Sequence, residues 1–79
     1  MKQYRINFGN IANVKRFSEK ASVFDGDIQL ESDTTIINGK SVLGIFSLDL
    51  TKVLTIEIGG DSKSVERFYL DAVKPLVVR

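Results

Sequence analysis

Apolar and polar positions alternate in three short stretches, and each alternation predicts a half-buried β-strand. In the first stretch, Tyr4, Ile6 and Phe8 are separated by polar residues. Strands are predicted in this way over residues 2–8, 27–31 and 54–58, and the β-type run Thr35-Ile36-Ile37 predicts a further strand over residues 35–37. The polar residues 32–34 form a turn, so the second and third strands should make a hairpin.

Helical spacing appears in two other stretches. Apolar residues predict a helix over residues 11–22, on the face Ile11, Val14, Phe17 and Ala21. Asn10 is well placed as its N-cap. A last helix should begin at Asp61 or Ser62, with its apolar face at Val65, Phe68, Tyr69 and Ala72. Pro75 should end or distort this helix near Val73, because proline lacks a backbone N–H.

A third, short helix is predicted over about residues 42–48. Asn38-Gly39 is a turn dipeptide that tolerates positive φ, and Ser41 can cap the helix that follows. The apolar residues that follow Ser41 occupy almost every face of so short a helix, and they are Val42, Leu43, Ile45 and Phe46. They cannot all be buried, so we expect a surface contact patch and at least one exposed side chain of the pair Leu43 and Phe46.

The resulting order is βαββαβα, which predicts an α+β open-faced sandwich with three helices on one face of a four-stranded sheet. The length of 79 residues allows one small domain, spanning residues 1–79. The hydrophobic content of 43% is enough for a single core. The residues after Pro75 have no predicted place in this arrangement.

The composition excludes several kinds of chemistry. The chain has no cysteine and no histidine, which removes thiolate chemistry, disulfides and the usual general base and metal ligand. We also expect no enzymatic activity, no cofactor and no metal. The net charge of +1 indicates no nucleic-acid partner. No apolar run approaches the roughly 20 residues of a membrane span, and no signal peptide begins the chain, so we expect a cytoplasmic location.

Three other interpretations are weaker. Residues 39–41 match the end of a phosphate-loop motif, but Thr34 stands where that motif needs glycine. An acidic cluster could hold a metal ion but lacks the ligand rhythm of a calcium loop; its members are Asp25, Asp27, Glu31 and Asp33. Tyr4 and Phe8 could form an RNA-stacking platform, but they are better explained as core residues under the helices.

Charge is distributed unevenly along the chain. Residues 1–20 carry five basic side chains and one acidic side chain, whereas residues 25–33 carry four acidic and no basic ones. The basic residues near the first helix could meet an acidic partner. The preferred interpretation is a solvated surface on which opposite charges lie close together.

The stretch from residue 38 to residue 48 resembles the HPr family, the small phosphocarriers of the bacterial sugar phosphotransferase system. The match rests on Asn38, Lys40, Ser41, Gly44 and Ser47-Leu48, which is similar to the segment around the family's regulatory serine. Upstream, residues 24–31 resemble the entry to the family's second strand, at the family's spacing. The resemblance implies a mostly antiparallel sheet in the order 1-4-2-3.

The same resemblance fails at the family's phosphate-accepting site. The position of the phosphorylated histidine falls at Asn10, that of the helper arginine at Ala12, and that of the following proline at Asn13. A carboxamide is too weak a nucleophile to carry a transferable phosphoryl group, and alanine cannot neutralise one. The resemblance therefore implies a relative that is not a histidine phosphocarrier.

Ser41 stands at the position where Gram-positive relatives are phosphorylated by a dedicated kinase. In that family the modified protein then binds a sugar-responsive repressor, and the catabolite-repression HPr homologue is a branch that lacks the histidine but keeps the serine. The resemblance implies a regulatory or adaptor module with these protein partners. It would act through Ser41 and the patch over residues 42–48, with a partner-binding surface formed by Lys40, Val42, Leu43 and Phe46. Ser41 can equally be only a helix cap.

Two alternatives remain open at this point. The chain could be a phosphocarrier that uses an unrecognised residue, or an HPr-fold protein-binding domain outside the phosphotransferase system. The sequence predicts no oligomeric state.

Overall fold

The computed structural model describes residues 1–78, and the predicted order of elements is confirmed. The elements are β1 (Lys2–Ile6), α1 (Ile11–Val23), β2 (Asp27–Glu31), β3 (Ile36–Asn38), α2 (Val42–Phe46), β4 (Leu54–Gly59) and α3 (Ser62–Phe68). After α3 the chain continues as a π-helical turn over Tyr69–Val73 and a 3₁₀ turn over Lys74–Leu76. No helix in this described part is long and apolar enough to cross a bilayer.

The sheet has the order β1-β4-β2-β3 with every neighbouring pair antiparallel, as the resemblance implied. The register places Ile56 between Tyr4 and Leu30, and these side chains face the helices. On the opposite face Glu57 lies between Gln3 and Gln29, so that face is polar. The molecule is an α+β open-faced sandwich, because only the apolar face of the sheet is covered.

A chain of aromatic contacts fills the space between sheet and helices. Phe8 packs edge-on against Phe17 at 5.2 Å between ring centroids, and Phe17 packs against Phe68 at 5.7 Å. Tyr4 lies 4.5 Å from Tyr69 on the same side of the sheet. Phe8 is fully buried, so Tyr4 and Phe8 belong to the core and do not form an RNA-stacking platform.

The first strand is shorter than predicted. It ends at Ile6, and Phe8 is buried outside the strand because the chain changes its pairing partner there. The N–H of Asn7 donates to the carbonyl of Leu76, and the N–H of Gly9 donates to the carbonyl of Leu50. Period-two alternation cannot distinguish a strand from an irregular segment that buries every second side chain.

Two predictions around the helices are wrong in detail. The apolar spacing predicts Ile11 on the buried face of the first helix, but Ile11 is the first residue of α1 and is 56% exposed. The short helix ends at Phe46 and not at Leu48. The chain turns at Ser47, and Leu48 then packs against the core.

The end of the chain is arranged around Pro75. Because proline has no N–H and crowds the carbonyl four residues earlier, the helix widens into the π-helical turn and then tightens. This confirms the predicted distortion near Val73. Val77 then forms an antiparallel bridge with Ile6, and the N–H of Val78 donates to the carbonyl of Arg5. Arg79 lies outside the described residues.

Candidate partner-binding site

The turn that leads into α2 packs closely against β2. The N–H of Gly39 donates to the carbonyl of Ile28 at 2.8 Å. A Cβ at residue 39 would lie 2.2 Å from Ile28 Cγ2, so only glycine fits. The turn predicted at Asn38-Gly39 is present, although neither residue has positive φ. Glycine is required at residue 39 by space and not by backbone conformation.

Ser41 caps α2, as predicted. Its Oγ accepts a hydrogen bond from the N–H of Gly44 at 3.1 Å, and its backbone is extended. Asn38 supports the turn, because its Oδ1 accepts from the N–H of Lys40 at 2.9 Å. The Ser41 side chain is exposed, and its hydroxyl hydrogen is not used by the cap. The hydroxyl is therefore both a structural acceptor and accessible from solvent.

The α2 patch, defined as Val42, Leu43 and Phe46, lies on the surface. Leu43 is 84% exposed, Val42 42% and Phe46 40%. Ile45 is the residue of α2 that is fully buried. The prediction that at least one of Leu43 and Phe46 is exposed is confirmed. Binding of a partner to these side chains stays a prediction.

Lys40 is placed differently from the α2 patch. Its ammonium group donates to the carbonyl of Phe24 at the C-terminal end of α1, and it lies 5.7 Å from the centroid of the Phe24 ring. Here the cation meets the negative end of the helix dipole. A role for Lys40 in screening a phosphate on Ser41 requires that this contact be given up.

The N-terminus of α1 carries the residues that the sequence resemblance assigns to the phosphate site of HPr proteins. Asn10 is the N-cap, with Oδ1 accepting from the N–H of Asn13 at 2.9 Å. The side chain of Asn13 in turn donates to the carbonyl of Phe8 at 2.8 Å. Ala12 is exposed and has no polar group. This end of α1 is held by carboxamides and offers no nucleophile of useful strength.

Hydrogen bonds join the loop before α1 to the loop after α2. Asn7 Nδ2 donates to the carbonyl of Thr51 at 3.0 Å, next to the bond between Gly9 and Leu50. Asp49 holds the second loop, because its Oδ1 accepts from Thr51 Oγ1 at 2.6 Å and from the Thr51 N–H at 3.0 Å. These hydrogen bonds, with that of the hydroxyl foremost, lower the pKa of Asp49. The start of α1 and the α2 segment are thereby tied together.

Sequence reasoning missed Ile11 as a surface residue. It is an exposed apolar side chain at the start of α1, close in sequence to Asn10. The sequence signal for this exposure is the position of Ile11 directly after the N-cap. The first residue of a helix that packs on a sheet can lie outside the core.

The acidic residues of the predicted alternative do not assemble into a metal site. Among residues 1–78, no three of the Asp and Glu side chains are grouped so that they could hold an ion. Asp27 and Glu31 are at opposite ends of β2. The α2 segment remains the surface that best combines exposure with defined chemistry.

Replacing Leu43 by lysine is expected to leave the fold unchanged. The side chain is almost fully exposed, so the free energy of unfolding should change by no more than about 0.5 kcal/mol in urea denaturation. The matched control is Ile45→Ala on the buried side of the same helix, which should cost about 2–5 kcal/mol. Similar losses in the two variants would show that Leu43 is a core residue.

Comparison with known proteins identifies the fold. No protein-family model and no curated protein sequence matches this chain. Among solved structures, HPr-C-His from Thermoanaerobacter tengcongensis superposes with a TM-score of 0.74 at 27% identity, covering 94% of this chain and 92% of that one. The phosphocarrier protein HPr from Bacillus anthracis superposes with a TM-score of 0.67 at 25% identity, covering 90% and 95%.

A more distant structure shows the same architecture. The histidine-containing phosphocarrier protein of a Mycoplasma has a TM-score of 0.65 at 16% identity and covers 99% of this chain and 98% of its own. At that identity the likeness concerns the fold alone. The chain has the HPr-like fold, as the resemblance of its sequence implied.

Proposed function

We propose that this protein is a regulatory or adaptor module related to the phosphoenolpyruvate-dependent sugar phosphotransferase system, acting through Ser41 and the α2 patch and not as a histidine phosphocarrier. The relation to this system rests on its HPr-like fold neighbours, two of which are called phosphocarrier proteins. The chain has no histidine, which removes the group that a phosphocarrier of the known kind requires.

The observation that carries the proposal is the position of the Ser41 hydroxyl. It is exposed at the start of α2 and is followed directly by Val42 and Leu43, whose side chains face solvent. A modification at Ser41 would therefore change the charge at the edge of an apolar contact surface. A partner that covers the α2 patch would lie next to the added charge, so its affinity would change.

Phosphorylation of Ser41 is compatible with the fold. The phosphate would add a charge of about −1.5 to −2, and its oxygens can accept the Gly44 N–H hydrogen bond that Oγ accepts now. The partial positive charge at the helix N-terminus favours an anion there by roughly 0.3–1 kcal/mol. The modification should alter the surface without unfolding the domain.

The candidate partners are an HPr-type kinase and a sugar-responsive repressor. A repressor that presents arginine to Ser41 would gain charge-assisted, bidentate hydrogen bonds with the phosphate. Its apolar side chains would cover Leu43 and Phe46, which are the exposed anchors of the patch. The proposed location is the cytoplasm, where such a kinase and repressor would act.

Phosphorylation of Ser41 by an HPr-type kinase and ATP is the test of this function. The wild type should gain the mass of one phosphate and bind the repressor more tightly, whereas Ser41→Ala should do neither. Ser47→Ala is the matched control, because Ser47 is also exposed and also lies at an end of α2, where it donates to the carbonyl of Gly44. It should be phosphorylated as the wild type is.

Two results would refute the regulatory proposal. One is the absence of any mass increase in the wild type, and the other is equal repressor affinity before and after modification. Ser41 would then be a helix cap only, and a protein-binding domain outside the phosphotransferase system would become the better explanation. Phosphate gained from phosphoenolpyruvate and the general phosphotransferase enzyme would instead favour a carrier that uses an unrecognised residue.

A further inference from the structure

A groove separates the C-terminal end of α1 from the start of α3. Its volume is about 430 Å³, which lies within the range of about 300–1,000 Å³ that is typical of ligand sites. Lys20 and Val23 line it from α1, and Lys63 and Arg67 line it from α3. We call it the α1–α3 groove. Its described lining includes no residue of α2, so it is separate from the α2 patch.

The floor of the groove is apolar and is formed by two packed aromatic rings. The rings of Phe24 and Phe68 stack at 4.7 Å between centroids with 15° between their planes, and both residues are largely buried. Val23, the last residue of α1, lies at the rim of the groove with 83% of its surface exposed. An exposed apolar rim above an aromatic floor is a surface that an apolar side chain can cover.

The charged lining is mainly positive. Three cations, Lys20, Lys63 and Arg67, face two carboxylates, Asp25 and Asp71. All five charged side chains are exposed, so they can interact with an incoming ligand. Salt screens these interactions. The excess of positive charge favours an acidic ligand.

From this combination of an aromatic floor, an exposed valine and three cations, we infer that the α1–α3 groove binds an acidic segment of a partner protein. An apolar side chain of that segment lies over Phe24 and Phe68. Its flanking carboxylates pair with the cations of the two helices. This site is independent of Ser41 and does not require the proposed regulatory function.

The contact made by Lys40 supports the importance of the groove floor. From the turn before α2, the Lys40 ammonium group donates a hydrogen bond to the carbonyl of Phe24. This bond restrains the backbone of Phe24, whose ring forms part of the floor. The floor is therefore held from two sides, by Phe68 of α3 and by Lys40. A preorganised site of this kind loses less conformational entropy when a ligand binds.

The test is an NMR titration of the ¹⁵N-labelled full chain with a hexapeptide of alternating glutamate and leucine. Amide shifts are expected around Val23, Phe24 and Ser64, and they should weaken as salt is raised. The same peptide with glutamine in place of glutamate should bind at least about tenfold more weakly, since it lacks the charges that pair with the cations.

Matched charge variants identify the site. Lys63→Gln with Arg67→Gln should weaken binding of the acidic peptide by about tenfold. The control, Lys2→Gln with Lys52→Gln, removes the same charge from exposed positions outside the groove and should change the affinity by less than about twofold. Circular dichroism checks that both variants remain folded.

Three outcomes would overturn the inference. The first is the absence of shifts around the groove, and the second is equal binding of the glutamine peptide. The third is an equal loss of affinity in the two double variants, which would indicate attraction by overall charge only. None of these outcomes bears on phosphorylation of Ser41, so this proposal and the regulatory one can fail separately.

Discussion

Gly39→Ala is expected to lower the free energy of unfolding by about 3 kcal/mol, which is the upper part of the usual range for overpacking a well-packed site. The new Cβ would lie 2.2 Å from Ile28 Cγ2 and 2.9 Å from Ile28 Cβ. Ile28 is buried on β2, one of the two inner strands of the sheet. The turn must move away from β2, and the Gly39–Ile28 hydrogen bond must lengthen or break.

Urea denaturation measures this effect, with the m-value checked for an unchanged two-state transition. Gly39→Asn separates crowding from backbone conformation, because asparagine tolerates positive φ but is larger than alanine. We expect asparagine to be at least as harmful as alanine. A milder effect of asparagine would contradict the crowding explanation.

Gly9→Ala is the matched control for backbone strain. Gly9 has φ 78°, and its Cβ would meet no atom closer than Asn7 Oδ1 at 3.7 Å. Its substitution should cost only the strain of a left-handed residue, roughly 1–2 kcal/mol. The comparison of Gly39→Ala with Gly9→Ala thus measures separately the cost of crowding and the cost of positive φ.

The wild type should gain no phosphate from phosphoenolpyruvate and the general phosphotransferase enzyme, whereas Asn10→His combined with Ala12→Arg should gain at least some. Asn10 already lies at the N-terminus of α1, where free backbone N–H groups favour an anion. An imidazole there would supply the missing nucleophile, and an arginine at residue 12 would neutralise the phosphoryl group. Radiolabel transfer and intact mass measure the change.

Asn10→His alone is the control for the contribution of the arginine, and it should gain less phosphate than the double variant. Loss of the Asn10–Asn13 cap hydrogen bond should cost about 1 kcal/mol, which leaves the domain folded. A folded double variant that stays unmodified would show that the surface recognised by the enzyme has been lost as well. Stable phosphate on the wild type would contradict the absence of carrier chemistry.

The sequence by itself determined the order and type of the elements. Apolar periodicity identified three of the strands and the two longer helices, because burial on one face imposes a period of two or about 3.6 residues. The residue types also identified the caps Asn10 and Ser41, since a capping side chain accepts a hydrogen bond from a residue only three positions away. Pro75 could be interpreted from its covalent structure alone. These are all local properties of the chain.

The strand order came from a resemblance to a known family and not from the pattern, because periodicity carries no information on which strands pair. Only the tertiary structure decided the features that depend on contacts between distant residues. Ile11 is exposed although it shares the predicted apolar face of α1, Gly39 is required by the close approach of Ile28, and Lys40 reaches Phe24. The α1–α3 groove is of the same kind, since Lys20 and Lys63 are brought together only when α1 and α3 pack on one sheet.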